Sequence, residues 1–141
     1  MMERTEVCKL VNQALEARKH SYSPYSDFMV GAALLAADGT VYTGCNIENA
    51  AYTPTNCAER TAFFKAVSEG VHSFQAIAIV GGPREGNLQY CAPCGVCRQV
   101  MMEFCAPDFE IFLGKTEEDY IRYTLEELLP EGFGPSNLER E

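Results

Sequence analysis

The sequence predicts an α/β protein, a sheet flanked by helices, and three observations carry that expectation. Helix-spaced apolar residues alternate along the chain with β-rich apolar runs. Two of those runs, Thr40–Asn46 and Phe74–Val80, each lead through a short connection into a helical pattern. Between two strand-like runs stands Asp38-Gly39, a strong hairpin signal.

Taken in order, residues 3–18 place Val7, Leu10, Val11, Ala14 and Leu15 at helical spacing and predict an amphipathic first helix. Strands follow at Phe28–Ala36 and Thr40–Asn46, joined at the Asp-Gly turn. A helix is predicted from Cys57 to Glu69, stopped by Gly70. The run "FQAIAIVGG" predicts a buried strand over Phe74–Val80. "PCGVCRQVMMEF" predicts a helix over Cys94–Phe104, entered after Pro93 and ended before Pro107. Strands at Glu110–Leu113 and Tyr120–Tyr123 come next, and Thr124 with Glu127 forms a capping box for a short helix, Leu125–Leu129.

The bulk properties bound the function. A chain of 141 residues is long enough to bury a core without staples and fits a single domain, 1–141, with no internal repeat or low-complexity tract. Its net charge of −9, from 20 acidic against 11 basic residues, repels phosphate backbones and anionic membrane surfaces, so no nucleic-acid or membrane partner is expected. The N-terminal "MMERTEVCKL" is charged where a signal peptide needs apolar residues, and the longest apolar run, Phe28 to Ala37, is about half the ~20 residues of a membrane span. A cytoplasmic protein is expected. Seven cysteines in a reducing compartment are not a disulfide framework. Cys8, Cys45 and Cys105 sit singly among apolar or small neighbours and read as core thiols, whereas Cys57, Cys91, Cys94 and Cys97 call for a chemical reading.

Cys57 and Cys94 fall at the starts of two helices that follow strands, the edge at which open α/β sheets bind ligands. Free N–H groups and the positive end of the helix dipole favour a thiolate there. Cys94 and Cys97 are three apart, on one helical face, and Cys-x-x-Cys is a zinc bite. Two helix starts thus offer three thiolates to one Zn²⁺. If Cys91 joined them, the closed four-sulfur tetrahedron would be structural; if it stays out, a water position remains and Glu59 can serve as general acid and base. A metal-free redox pair is the third reading, but it leaves Cys57 and Glu59 without a task. Spacing alone leaves all three open.

"NCAER" followed at a distance by "APCGVCRQ" resembles the Cys/His-x-Glu and Pro-Cys-x-x-Cys signature of zinc-dependent deaminases. With "YSPYSDFMVGAAL", "GCNIENAAY", "PCGVCRQVM" and the tail "LLPEGFGPSNL" in the same order, nearly the whole chain is similar to the small homotetrameric cytidine deaminases. The resemblance implies a three-layer α-β-α fold, with a mixed sheet of about five strands between helices, and hydrolytic deamination of cytidine and 2'-deoxycytidine to the uridines and ammonia. It implies one Zn²⁺ per subunit on Cys57, Cys94 and Cys97, with Glu59 moving protons from water to ring N3 and then to the departing amine. Three thiolates leave the metal centre with net negative charge, and Arg60 is the residue expected to draw it off by hydrogen-bonding ligand sulfur, with Arg98 and Gln99 as weaker candidates.

Around the base and sugar, the resemblance implies Asn46 and Glu48 on the ribose hydroxyls, Phe28 stacking on the ring and the Ala58 N–H on the pyrimidine carbonyl. Tyr52 and Phe133 match aromatics that complete a neighbouring subunit's pocket, so a homotetramer with shared sites is implied. Pro54 in the loop before Cys57 departs from the pattern, Cys91 is read as a buried thiol or pocket wall, and His20 and His72 fall outside every motif.

Overall fold

The computed structural model describes residues 1–138. Its elements are α1 (Arg4–Arg18), β1 (Phe28–Ala36), β2 (Val41–Cys45), α2 (Ala58–Ser68), β3 (Phe74–Pro83), α3 (Gly95–Phe104), β4 (Glu110–Thr116), β5 (Asp119–Thr124) and α4 (Leu125–Leu128), with a 3₁₀ turn at Pro135–Leu138. Every element expected from the sequence is present. The capping box of Thr124 and Glu127 starts α4, and Gly39, at the hairpin turn, has φ of 93°. The 3₁₀ turn is the one addition.

The five strands lie in the order β2-β1-β3-β4-β5, mixed as the resemblance implied. β1 pairs antiparallel with both β2 and β3, β3 runs parallel to β4, and β4–β5 is an antiparallel hairpin. Only the β3–α3–β4 unit therefore joins adjacent parallel strands. The other crossover, β2–α2–β3, steps over β1, because the hairpin sends β2 to the edge and leaves apolar β1 in the middle. β3 outlasts its expected end at Val80, since Gly82 and Pro83 pair with Met29 and Phe28.

Period-two alternation divides the strands between two cores. Val30, Ala32, Leu34, Ile77, Ile79, Ile111 and Leu113 face α2, α3 and α4 along with Ala62, Phe63 and Met101. Ala33, Ala76, Ala78, Val80 and Phe112 face α1 through Val7, Leu10, Val11 and Ala14. The sheet thus lies between helical layers. A close approach sets α2 in place: a side chain at Gly44 would put its Cβ 2.4 Å from the Ala58 carbonyl oxygen and 2.6 Å from the Ala62 nitrogen. Only glycine lets the first turn of α2 press onto β2.

Candidate active site

The sheet brings the first turns of α2 and α3 together, and each helix is capped by a cysteine. Cys57 and Cys94 have extended backbones (φ −73°, ψ 156° and φ −66°, ψ 167°), and neither side chain caps its helix by accepting from a backbone N–H, so both sulfurs are free for other partners. The Cys57 sulfur lies 3.7 Å from that of Cys94, which lies 3.5 Å from that of Cys97. The loop carrying Cys57 is held by paired bonds between Ile47 and Asn56, each N–H donating to the other's carbonyl at 2.9 Å.

These distances test whether the residues fit a metal. With Zn–S bonds of about 2.3 Å, tetrahedral geometry spaces sulfurs about 3.8 Å apart. The cluster has that spacing already, its three ligand atoms lying within 4.8 Å of one another, and it is the one group of three or more metal-binding side chains among the described residues. Cys91 is not in it. The Cys91 side chain packs on Gly81 against the α2/α3 core, and burial pushes its thiol up to about 12. Three sulfurs fit zinc with one position to spare.

Charge in the cluster is unevenly shared. The Cys57 thiol falls to about 5, first because Cys97 hydrogen-bonds to it and then because Arg60 does. Cys97 moves in the opposite direction, being the member that donates its proton to Cys57. The Arg60 guanidinium reaches the Cys57 sulfur at 3.4 Å, as expected, and its Nε is buried without a partner among the described residues. Arg98 and Gln99 turn away from sulfur. Arg98 donates to the carbonyls of Pro93 and Leu128, each at 2.7 Å, and Gln99 donates to the carbonyl of Phe133 at 2.7 Å.

Glu59, in the first turn of α2, is 4% exposed. Burial raises its carboxyl to about 7, and the neighbouring Cys57 charge adds to the rise. It forms no ion pair among the described residues. Ala58, fully buried, opens the same helix, where the first backbone N–H groups have no helical acceptor.

Away from the sulfurs, Phe28 begins β1 and packs, half-buried, on the α2/α3 core. The Asn46 amide is engaged with that strand: it donates to the Phe28 carbonyl at 2.8 Å and accepts from the Val30 N–H at 2.9 Å and from the Ser21 hydroxyl. One amide proton of Asn46 has no partner among the described residues. The Glu48 carboxylate accepts from the Ser26 hydroxyl and from the N–H groups of Tyr25 and Ser26 at 2.9 and 3.1 Å, contacts that hold it below the usual carboxylate range. Glu48 and Tyr52 line a cavity of about 410 Å³ with Tyr25, Ser26 and Thr55. Tyr52 has φ of 62°, is 72% exposed and meets the Tyr25 ring edge-on at 6.3 Å. Phe133, in the tail after α4, is 59% exposed. Ser21 and Ser26 received no role from the sequence; their only signal was membership of "SYSPYS", which gives no hint of the side chains they hold.

Comparison with known proteins bears on this arrangement. Residues 4–113 match the family model described as the cytidine and deoxycytidylate deaminase zinc-binding region. A cytidine deaminase of Sporosarcina psychrophila is 53% identical over 133 residues, spanning 94% of this chain and 95% of its own. One from Halalkalibacterium halodurans is 51% identical over 129 residues, 92% of this chain and 95% of its own. The crystal structure of cytidine deaminase from Burkholderia pseudomallei superposes with a TM-score of 0.79 at 44% identity, covering 94% of this chain and all 100% of the other.

Proposed function

The chain belongs to the cytidine and deoxycytidylate deaminase family, and we propose that it deaminates cytidine hydrolytically to uridine and ammonia, with 2'-deoxycytidine as a second substrate. The observation that carries this reading is a cluster of three sulfurs at zinc spacing beside a buried, unpaired carboxyl. Cys57, Cys94 and Cys97 would hold the ion. When bound, zinc supplies the electrophilic polarisation that makes water a nucleophile at neutral pH. Arg60 and the two helix N-termini offset the excess negative charge of three thiolates.

Glu59 does the proton work. Its burial sets the carboxyl to hold and release a proton near neutrality, as general acid–base catalysis at this pH requires. It takes the proton of the attacking water and delivers it to ring N3, then takes the proton of the new C4 hydroxyl and passes it to the 4-amino group as the C4 carbonyl forms and the C4–N bond breaks, so ammonia leaves and the carboxyl returns to its starting state. The N–H of Ala58 donates to the pyrimidine carbonyl, and Phe28 packs against the ring. At the sugar, the uncommitted Asn46 proton donates to a hydroxyl oxygen, and Glu48, held ionised by Ser26, accepts a hydroxyl proton.

The exposed rings of Tyr52 and Phe133 support a homotetramer in which each completes a neighbour's pocket. Among the described residues no helix is long and apolar enough to cross a membrane, and the seven free thiols support a cytoplasmic location. The test is loss of cytidine absorbance in the ultraviolet on adding zinc-loaded protein. Turnover of cytidine and 2'-deoxycytidine, with none of a cytosine-containing oligonucleotide, is expected; an inert zinc-loaded protein would overturn the reading.

A further inference from the structure

The tail after α4 is fastened to the cysteine-bearing helix in an unusual way. Gln99 follows Cys97 of α3 by two positions, and its side-chain amide donates to the Phe133 carbonyl at 2.7 Å. On either side of Phe133 stands a glycine pressed against the same helix. A Cβ at Gly132 would sit 3.0 Å from the Leu129 side chain and 3.1 Å from the Met102 sulfur, and one at Gly134 would sit 2.9 Å from the Met102 methyl. Neither position admits a side chain without a shift of its neighbours. Glu131, with φ of 56°, turns the chain into this contact, and the Gly134 N–H is taken by the Asn137 amide oxygen at 2.8 Å. Arg98 fastens the start of the same segment by donating to the Leu128 carbonyl. The backbone of 132–134 therefore lies flat on α3 with the Phe133 carbonyl turned inward, and the Phe133 ring stands 59% exposed.

An exposed ring on a loose tail would lose conformational entropy whenever it packed against a ligand or a neighbour. Here the Gln99 bond removes much of that cost beforehand. We propose that Gln99 is a positioning residue for the deamination: by holding the Phe133 carbonyl on α3, it aims the Phe133 ring at the substrate pocket that the ring covers. This rests on the reading of Phe133 as a pocket-covering aromatic. Gln99 touches neither substrate nor sulfur. Because a ring that covers the pocket binds substrate and transition state alike, its aim is read in KM and not in kcat.

Gln99 is exposed, so its replacement spares the core. Gln99→Leu keeps bulk and removes the donor; Gln99→Glu keeps shape and has no N–H to give. With zinc-loaded protein, each variant is expected to raise the KM for cytidine about fivefold while kcat stays within about twofold. Zinc content and melting temperature should match the parent, and hydrogen exchange at the amides of residues 131–134 should accelerate. Phe133→Ala should raise KM at least as much, and adding Gln99→Leu to it should change nothing further, since two residues acting through one ring are not additive. An unchanged KM in Gln99→Leu overturns the proposal, as does a KM effect that persists undiminished in the Phe133→Ala background. If Phe133→Ala turns over cytidine with the parent KM, the role of Phe133 falls and the proposal with it, while the deaminase reading stands. Absence of turnover in the zinc-loaded parent sinks that reading and everything built on it.

Discussion

Two glutamates are buried among the described residues, and they are treated in opposite ways. Glu110, 7% exposed at the start of β4, accepts from Arg122 at 2.5 Å and from the Met2 N–H at 2.9 Å. Glu59, 4% exposed in α2, has an arginine as its next residue, yet that arginine turns to the Cys57 sulfur and leaves the carboxyl without a cation. A paired buried carboxylate cross-links the fold, whereas an unpaired one raises the free energy of its own ionised form, which suits the proton transfer proposed for Glu59. The contrast is one of partners, since burial is similar at both sites. Stability was spent at Glu59 on a carboxyl whose proton can move.

The sharpest way to break this comparison is to neutralise each carboxyl in turn. Glu59→Gln is expected to lower kcat by about 10²–10⁴-fold with zinc retained, and a variant within tenfold of the parent in a turnover assay would remove Glu59 from the chemistry. Cys97→Ser should lose the metal and, with it, activity that added zinc does not restore, as elemental analysis and turnover together will show. Arg60→Gln should weaken zinc retention against a chelator by about 10–100-fold while the fold persists, the scale seen for groups that support ligands from behind. Glu110→Ala should instead leave kcat unchanged and cost about 1–3 kcal/mol in denaturant unfolding, because its Arg122 partner is only partly shielded from water. If Glu110→Ala reduced kcat as much as Glu59→Gln, the contrast would be lost.

The smallest effect concerns pH. The folded Glu59 carboxyl, at about 7, lies above the ordinary 4.5, so in zinc-free protein stability is full below pH 4.5 and is lost as pH rises through 7. Cys57 has the opposite sign: at about 5, below the ordinary 9, its contribution is full above pH 9 and is lost as pH falls through 5. In zinc-free protein the melting-temperature advantage of Glu59→Gln over the parent should therefore grow between pH 4.5 and 7 and then level off. A flat difference would show that the carboxyl is solvated.

Much of the chemistry was legible because it is local. At one helix start Cys94 is followed three residues on by Cys97, and at another Cys57 is followed two residues on by Glu59; each is a relation within a single turn, fixed by 3.6 residues per turn whatever the helix packs against. The helices and strands were legible for the same reason, and the Asp-Gly turn placed the hairpin. Arg60 on sulfur was implied by the resemblance, and the first turn of α2 brings its guanidinium to the Cys57 sulfur three residues back. The amides were harder. Asn46 was expected at a sugar, and its side chain also serves the backbone of β1 from across the sheet. Arg98 and Gln99 were weighed for sulfur and hold tail carbonyls that lie 30 and 34 residues away.

By itself the sequence determined which residues can bind metal, which helix starts carry them and the periodicities that bury each face, because these depend on neighbours a few positions apart. Only the tertiary structure decided that β1 lies between β2 and β3, that Cys91 packs on Gly81 outside the sulfur cluster and that one buried glutamate found an arginine while the other did not. Those outcomes turn on contacts between segments far apart in the chain, where close packing and the cost of an unpaired buried group select one arrangement.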